Sequence, residues 1–157
     1  MYRKLMTRLV ALFCLLFSFS FVYGEAVKGD FAIGVNYPGL GVKYFLSNRT
    51  ALELKGQVAE NIAVVGLRGY HYFKHENKFL PFAGYEADYI TFQGDSSKGT
   101  GYAGEIFIGG EYFISRRFSV QLDMGPGLVS LNDTATSESV SGLEYIVNFG
   151  INFYFGK

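Results

Sequence analysis

The stretch NFGINFYF, residues 148–155, stands at the C-terminal end of the chain and alternates between polar or small side chains and apolar ones. This alternation predicts a β-strand, because successive side chains of a strand point to opposite faces. A strand that ends in Phe153, Tyr154 and Phe155 presents an apolar edge, which promotes aggregation unless it is covered. We therefore expect this strand to be paired, and pairing with the first strand of the chain would close the sheet into a barrel.

Period-two alternation recurs throughout the chain after residue 24, whereas helical periodicity is almost absent. Pro38, Pro81 and Pro126 fall at or near proposed strand ends, where the missing N–H of proline is tolerated. The predicted fold is all-β, an eight-stranded antiparallel up-and-down barrel in a single domain. Its strands are predicted at residues 29–36, 40–47, 50–58, 62–73, 79–92, 101–114, 118–129 and 143–155.

The first 24 residues have the features of a secretory signal: three basic residues, a short apolar run and a tolerated cleavage site at Gly24. The apolar run is shorter than the ~20 residues of a membrane-spanning helix. An uncleaved N-terminal anchor stays open as the alternative. We predict a cleaved signal peptide at residues 1–24 and an outer-membrane barrel domain at residues 25–157.

Charge and cysteine content narrow the functional classes. The predicted signal contains three of the 14 basic residues and none of the 14 acidic ones, so the mature chain would carry a net charge of −3. That charge argues against a nucleic-acid partner, which needs a clustered basic face. The single cysteine, Cys14, lies in the signal, so neither disulfides nor a thiol-based zinc site is expected in the mature chain. No cofactor is predicted.

The connections between strands differ at the two ends of the predicted barrel. Short polar turns are predicted at residues 47–49, 74–78 and 115–117. At the other end, longer loops rich in Ser, Thr, Gly and Asp are predicted at residues 93–100 and 130–141, and we expect them to be exposed and mobile. Outer-membrane barrels have this asymmetry, with short periplasmic turns and longer outer loops.

The alternation by itself allows two interpretations, because an apolar strand face forms the core of a soluble sandwich but faces lipid in a membrane barrel. Strands of up to about 14 residues favour the barrel, since about 9–11 residues cross a bilayer and soluble strands usually have about 5 or 6. Small residues on the polar faces also suit a narrow lumen. They are Gly34, Gly41, Gly66, Gly84, Gly109, Gly125 and Gly150. A soluble exported β-sandwich is kept as the alternative.

Tyr-Phe pairs close every strand that runs toward the short-turn end. Aromatic rings gathered at one level favour the headgroup boundary of a membrane, so the pairs predict an aromatic girdle there. The predicted girdle comprises Tyr44, Phe45, Tyr72, Phe73, Tyr112, Phe113 and Tyr154, with Phe155 beside them. Because alternation does not put the same member of each pair outward, a bulge or slip of register would be needed to place all of them on the outside.

The C-terminal strand resembles the β-signal of bacterial outer-membrane proteins, in which a polar residue is followed by a glycine and then by spaced hydrophobic residues. Asn148, Gly150, Phe153 and Phe155 are the matching positions. The mature chain as a whole resembles the small eight-stranded OmpA/OmpX-like barrels. The resemblance implies location in the outer membrane, contact with its lipid, and recognition of the C-terminal strand by the barrel-assembly machinery.

The same alternation places ten ionisable side chains in the lumen. Buried charges persist only when they are paired or hydrated, so we expect a polar network that fills the barrel. A narrow, cation-leaning pore is the alternative interpretation. The predicted interior residues are Lys43, Glu53, Lys55, Arg68, Glu86, Asp88, Glu105, Glu111, Asp123 and Glu144.

The sequence offers little for an enzyme. Some barrels of the resembled class modify lipid A, but a serine hydrolase needs a nucleophile and a histidine base within hydrogen-bond reach. The only histidines, His71 and His75, both fall at the short-turn end and would not share a face on a strand and turn. We predict a non-enzymatic barrel with a role in envelope integrity or in surface interaction through residues 93–100 and 130–141. A lipid A-modifying enzyme is the alternative, and the surface ligand is not specified.

Overall fold

The computed structural model describes residues 28–37, 39–73, 78–94, 97–134 and 137–155. The predicted signal peptide with Cys14, and also Pro38 and His75, lie outside these residues. The described residues form eight β-strands, and among them no helix is long and apolar enough to cross a membrane. The strands are β1 Phe31–Tyr37, β2 Gly39–Ser47, β3 Thr50–Ala59, β4 Ile62–Tyr72, β5 Phe79–Gln93, β6 Lys98–Ser115, β7 Phe118–Asp133 and β8 Glu138–Phe155.

Each strand pairs antiparallel with its neighbours in the chain, and β1 pairs with β8 to close the barrel. At the closure, Phe31 lies opposite Phe155 and Asn36 lies opposite Gly150. The predicted eight-stranded closed meander is therefore confirmed, together with the pairing of the last strand with the first. We call the end with the turns at residues 48–49 and 116–117 the lower end, and the opposite end the upper end.

The prediction of loops at residues 93–100 and 130–141 is wrong for much of their length. Residues 98–100 belong to β6, and residues 130–133 and 138–141 belong to β7 and β8. The ladders continue to Gln93 opposite Lys98 and to Asp133 opposite Glu138. Polar composition suggested loops, but hydrogen-bonded neighbours extend the strands through these segments.

The wall of the barrel is uneven in height. β1 and β2 have 7 and 9 residues, whereas β5 to β8 have 15 to 18. β1 pairs with β8 only between Phe149 and Phe155, so residues 138–148 of β8 pair with β7 alone among the residues that the structure describes. The upper rim therefore has a gap between β8 and β3, above the short β1–β2 hairpin.

The burial pattern is the reverse of that in a soluble sheet. On β7, the side chains of Leu122 and Met124 are exposed on the outside, whereas Gln121 and Asp123 are 2% and 1% exposed inside the barrel. The same holds around the wall, since large apolar side chains such as Ile106 are exposed while Arg68 is buried. The alternative of a β-sandwich with an apolar core is therefore wrong.

The predicted aromatic girdle divides between the two faces, as strand geometry requires of adjacent residues. One member of each pair is on the outside: Tyr44, Phe73, Tyr112 and Phe155 are exposed. The other member is inside: Phe45, Tyr72, Phe113 and Tyr154 are buried. The prediction that all of them line the outside is wrong for these four, which close the lower end of the lumen instead.

The four inward rings pack against one another across the barrel. The ring centroids of Phe45 and Tyr72 are 5.3 Å apart, and those of Phe113 and Tyr154 are 5.1 Å apart. Phe45 and Tyr154 complete the chain of contacts at 6.1 Å. These rings, with the buried side chain of Leu80, form what we call the aromatic layer. It seals the narrow interior below the polar residues.

Candidate functional site: the barrel interior

Above the aromatic layer, Glu111 is fully buried and accepts hydrogen bonds from several strands. The hydroxyl of Tyr72 donates to it at 2.7 Å and the amide of Asn152 at 3.0 Å, and the hydroxyls of Ser119 and Tyr154 also donate to it. The ammonium of Lys43 lies 3.3 Å from its second oxygen, Oε2. Glu111 thus has both a countercharge and neutral donors, which is the condition under which a buried carboxylate is stable.

Arg68 organises the middle of the lumen. Its Nη2 lies 2.6 Å from Oδ1 of Asp123 and its Nε lies 2.8 Å from Oε2 of Glu86. The guanidinium also lies over the ring of Phe107, 4.3 Å from the centroid. One buried cation therefore joins carboxylates of β5 and β7 across the lumen and is held against an aromatic face.

Glu53 is a second buried acceptor at this level. It accepts hydrogen bonds from the hydroxyl of Tyr70 and from the side-chain amide of Asn36. Gln121 links this cluster to the one below, because it donates to the Tyr70 hydroxyl at 3.2 Å and accepts from Lys43 at 2.6 Å. The network is continuous from the aromatic layer to Arg68.

Glycine makes room for this network at close approaches. A Cβ on Gly41 would meet the carboxylate of Glu53, and a Cβ on Gly66 would meet the carboxylate of Asp88. At Gly84 a Cβ would overlap the ring of Phe107. The inward glycines predicted from the sequence therefore provide the volume that the polar and aromatic side chains occupy.

The upper part of the lumen is an open cavity of about 310 Å³, which we call the mouth. Lys55 forms ion pairs there with Glu86 and, at 3.5 Å, with Asp88. Glu105 is 5% exposed and accepts a hydrogen bond of 3.2 Å from Asn148. Within the described residues, Oδ1 of Asp88 and Oε1 of Glu105 are buried without a hydrogen-bond partner. The mouth is therefore acidic and contains unpaired acceptors.

Nine of the ten ionisable residues predicted to be interior lie inside the barrel, and Lys55 and Asp88 among them are partly exposed at the mouth. Glu144 does not belong to the network, because it is exposed. Its register opposite Gly127 is inward, but it lies on the part of β8 that has no neighbour on the β1 side. The prediction of an interior Glu144 is wrong for that reason.

The predicted network was limited to ionisable side chains and so left out its uncharged members. These members are Asn36, Tyr70, Ser119, Gln121 and Asn152, with Tyr72 and Tyr154 from the predicted girdle. The signal that could have found them is their parity, because each lies two residues or a multiple of two from a predicted interior charge, or from an inward glycine of its own strand.

The four residues matched to the β-signal lie on the lower half of β8. Asn148 is inward and donates to Glu105 and, at 3.0 Å, to Asp123, and a Cβ on Gly150 would meet the Asn36 side chain. Phe153 and Phe155 are exposed on the outside. Their recognition by an assembly machinery stays a prediction.

The histidine that the structure describes lies outside the barrel interior. His71 is exposed on the outer face of β4, where its ring packs edge-on against Phe73 with centroids 5.8 Å apart. Among the described residues, no group of three or more His, Cys, Asp or Glu side chains is arranged to hold a metal ion. The interior carboxylates therefore form a polar network without a histidine beside them in the described part of the chain.

The fold resembles that of a solved structure, the N-terminal β-barrel domain of Pseudomonas aeruginosa OprF. The two superpose with a TM-score of 0.58 over 83% of this chain and 100% of the OprF domain, and their sequences are 14% identical. No protein-family profile and no curated protein sequence matches the chain. The likeness is one of fold.

Proposed function

We propose that the chain is a non-enzymatic β-barrel protein of a bacterial outer membrane, whose lumen is filled below its mouth and whose upper end acts in envelope integrity or surface contact. The observation that carries this proposal is the inverted burial. Arg68, Glu53 and Glu111 are at most 1% exposed, whereas apolar side chains such as Ile106 and Ile108 are about two-thirds exposed. Lipid is the surroundings in which an apolar exterior and a polar interior are both stable.

Two bands of exposed aromatic residues support the membrane location. The lower band contains Tyr44, Phe73, Tyr112 and Phe155, and an upper band contains Tyr89, Tyr102 and Tyr145. On β6, Tyr102 and Tyr112 are ten residues apart, which is ~33 Å along a strand and ~25 Å along the normal at a tilt of ~40°. This spacing matches the apolar band of ~25 Å in outer-membrane barrels.

The filled lumen favours a structural role over a pore. The aromatic layer, the Glu111 cluster and the Arg68 cluster occupy successive levels of the lumen, and Lys43, Arg68 and Glu111 are buried side chains at its centre. The interior of an eight-stranded barrel is just wide enough for side chains to fill, and below the mouth these clusters fill it. An enzyme of lipid A is less well supported, because His71 is on the outside at the lower end, away from the interior carboxylates.

The upper end is the surface through which contact with the exterior would occur. It presents the β5–β6 and β7–β8 hairpins, whose paired strands extend to Gln93, Lys98, Asp133 and Glu138. Rigid hairpins lower the entropic cost of binding a partner compared with mobile loops. We extend the proposal to residues 93–100 and 130–141 as binding segments on this rigid support.

The test is to express the full chain in a bacterium that has an outer membrane, fractionate the membranes and purify the protein in detergent. We expect it in the outer-membrane fraction, with the mass of a chain that begins at Glu25. Its gel mobility should change on boiling. Recovery of a protein that stays in solution without detergent and shows no mobility change would contradict the proposal.

A further inference from the structure

Within the described residues, the upper part of β8 is paired on one side only. Residues 138–148 pair with β7 on one side, and on the other side β1 ends at Tyr37, opposite Phe149. Along these residues the structure describes no second ladder. We call this segment the β8 edge. A free edge of this length is a template for the addition of another strand.

The direction of the backbone groups follows from one hydrogen bond. The N–H of Tyr154 donates to the carbonyl of Arg117 on the β7 side. The backbone N–H and C=O groups of the even-numbered residues of β8 therefore point toward β7. Odd-numbered residues therefore point toward the gap, among them Ser141, Leu143 and Tyr145. Tyr145 belongs to the upper aromatic band, so the lower part of the edge lies at membrane depth, where unpaired peptide groups are costly.

The acidic mouth lies directly behind this edge. Its lining residues come from β3, β5, β6 and β8, and none of them comes from β1 or β2. Ile146, Val147 and Asn148 of the edge share this lining with Asp88 and Glu105. A strand laid along the edge would therefore place its inward side chains at the mouth, whose lining includes the carboxylates of Asp88 and Glu105.

A second copy of the chain is a weaker candidate for the edge than an antiparallel strand. Two barrels inserted in the same direction in one membrane carry their β8 strands in the same direction, so a second copy could add only as a parallel strand, which is the less stable pairing. A partner that continues the antiparallel wall runs the opposite way to β8. The occupant is therefore an extended segment that runs from the membrane outward, as β1 does.

We infer that the β8 edge and the mouth together bind an extended peptide segment that adds as a strand antiparallel to β8. Its inward positions carry lysine or arginine, which pair with Asp88 and Glu105, and its outward positions are apolar. The main-chain hydrogen bonds give affinity and the carboxylates give specificity. This inference rests on the proposed membrane function and names the class of partner that the upper end takes.

The probe is a fluorescent octapeptide of four Lys-Val repeats, added to the full-length purified protein in a neutral detergent and followed by anisotropy. Two further peptides carry N-methyl groups on either the four lysines or the four valines. In a strand one alternate set of N–H groups faces the partner. We expect one methylated peptide to lose binding at least tenfold and the other to bind as the parent does.

Equal binding of both methylated peptides would overturn the inference, because charge attraction alone does not depend on the N–H groups. Absence of binding by the parent peptide would also overturn it. Binding of dodecylamine without binding of the peptide would show that the gap takes amphiphiles instead, and would overturn it as well. On the protein side, Glu105→Gln should weaken the peptide about tenfold, through loss of a charge-assisted hydrogen bond. Glu60→Gln, at an exposed turn, is the matched control and should leave binding unchanged.

The edge itself is tested by Ser141→Pro with Leu143→Pro, which removes two N–H groups that face the gap and leaves the β7 ladder intact. We expect loss of peptide binding with an unchanged heat-dependent gel mobility. Binding that survives in this folded variant would overturn the inference. A parent protein that shows the heat-dependent mobility but fails to bind the peptide would contradict this inference alone, whereas loss of the mobility change in the parent protein would contradict the proposed function.

Discussion

Both halves of the lumen contain buried carboxylates, but the number of hydrogen bonds that these carboxylates accept differs between the two halves. In the lower half, Glu111 is completely buried and receives donors from five side chains. In the upper half, Glu105 receives one hydrogen bond, from Asn148, and one of its oxygens has no partner among the described residues. The carboxylate in the lower half is thus held as part of a structural core, whereas Glu105 at the mouth has far fewer hydrogen-bond donors around it.

Among the paired substitutions, removal of these two carboxylates should give the largest difference in the free energy of unfolding. Glu111→Leu leaves Lys43 and several buried hydroxyl and amide donors unpaired, so we expect a loss of about 3–5 kcal/mol in the free energy of unfolding. Glu105→Leu removes an incompletely paired charge, and we expect a change within about 1 kcal/mol. Urea unfolding in lipid bilayers, followed by tyrosine fluorescence, measures both. Equal losses would remove the distinction between the two halves.

A smaller difference should come from adding volume. Gly84→Val drives a side chain into the Phe107 ring and the carbonyl of Gly69, and we expect a cost of about 1–3 kcal/mol. Gly104→Val is the matched change on the outer face of β6, where the nearest atom to a Cβ is the carbonyl oxygen of Glu86 at 3.8 Å. It should be neutral in the same unfolding measurement. A destabilising Gly104→Val would show that the cost at Gly84 comes from replacing a strand glycine and not from packing in the lumen.

Removal of a single hydrogen bond should likewise cost more stability in the lower half than at the upper end. Ser119 is fully buried and donates to Glu111, so Ser119→Ala should cost about 1 kcal/mol, since the carboxylate keeps its other donors. Thr134, at the exposed upper tip, donates to the carbonyl of Lys98 at 2.6 Å. Because water replaces that bond, Thr134→Ala should leave the unfolding midpoint within error. A larger effect at Thr134 than at Ser119 would reverse the comparison.

The strand pattern was predictable from the sequence because alternation is a local property, and the closure of β1 on β8 followed from the need to cover the last strand. The interior charges were largely predictable for the same reason. The exceptions, Glu144 and the inward members of the Tyr-Phe pairs, depend on where neighbouring strands end and on which residue of a pair is inward. Those are properties of register between strands, which a single sequence does not specify.

The height of the upper strands was missed for a related physical reason. Residues 98–100 and 130–133 have the polar composition of loops, yet each finds hydrogen-bond partners on the adjacent strands, as Thr100 does opposite Thr91 and Asn132. Composition reports the preference of a segment on its own, whereas strand length is decided by the partners that flank it. The gap at the β8 edge, which exists because β1 and β2 stop early, was hidden for the same reason.

The smallest effect should be on conductance. In planar bilayers the protein should give no discrete current, and Glu105→Gln or Asp123→Asn should leave it silent. Phe45→Ala with Phe113→Ala removes part of the aromatic layer, but the Glu111 and Arg68 clusters still fill the lumen above it. We therefore expect this variant to be silent too. A stable current in the parent protein that shifts on Glu105→Gln would show that water and ions pass both clusters, and the lower half would then be a channel lining.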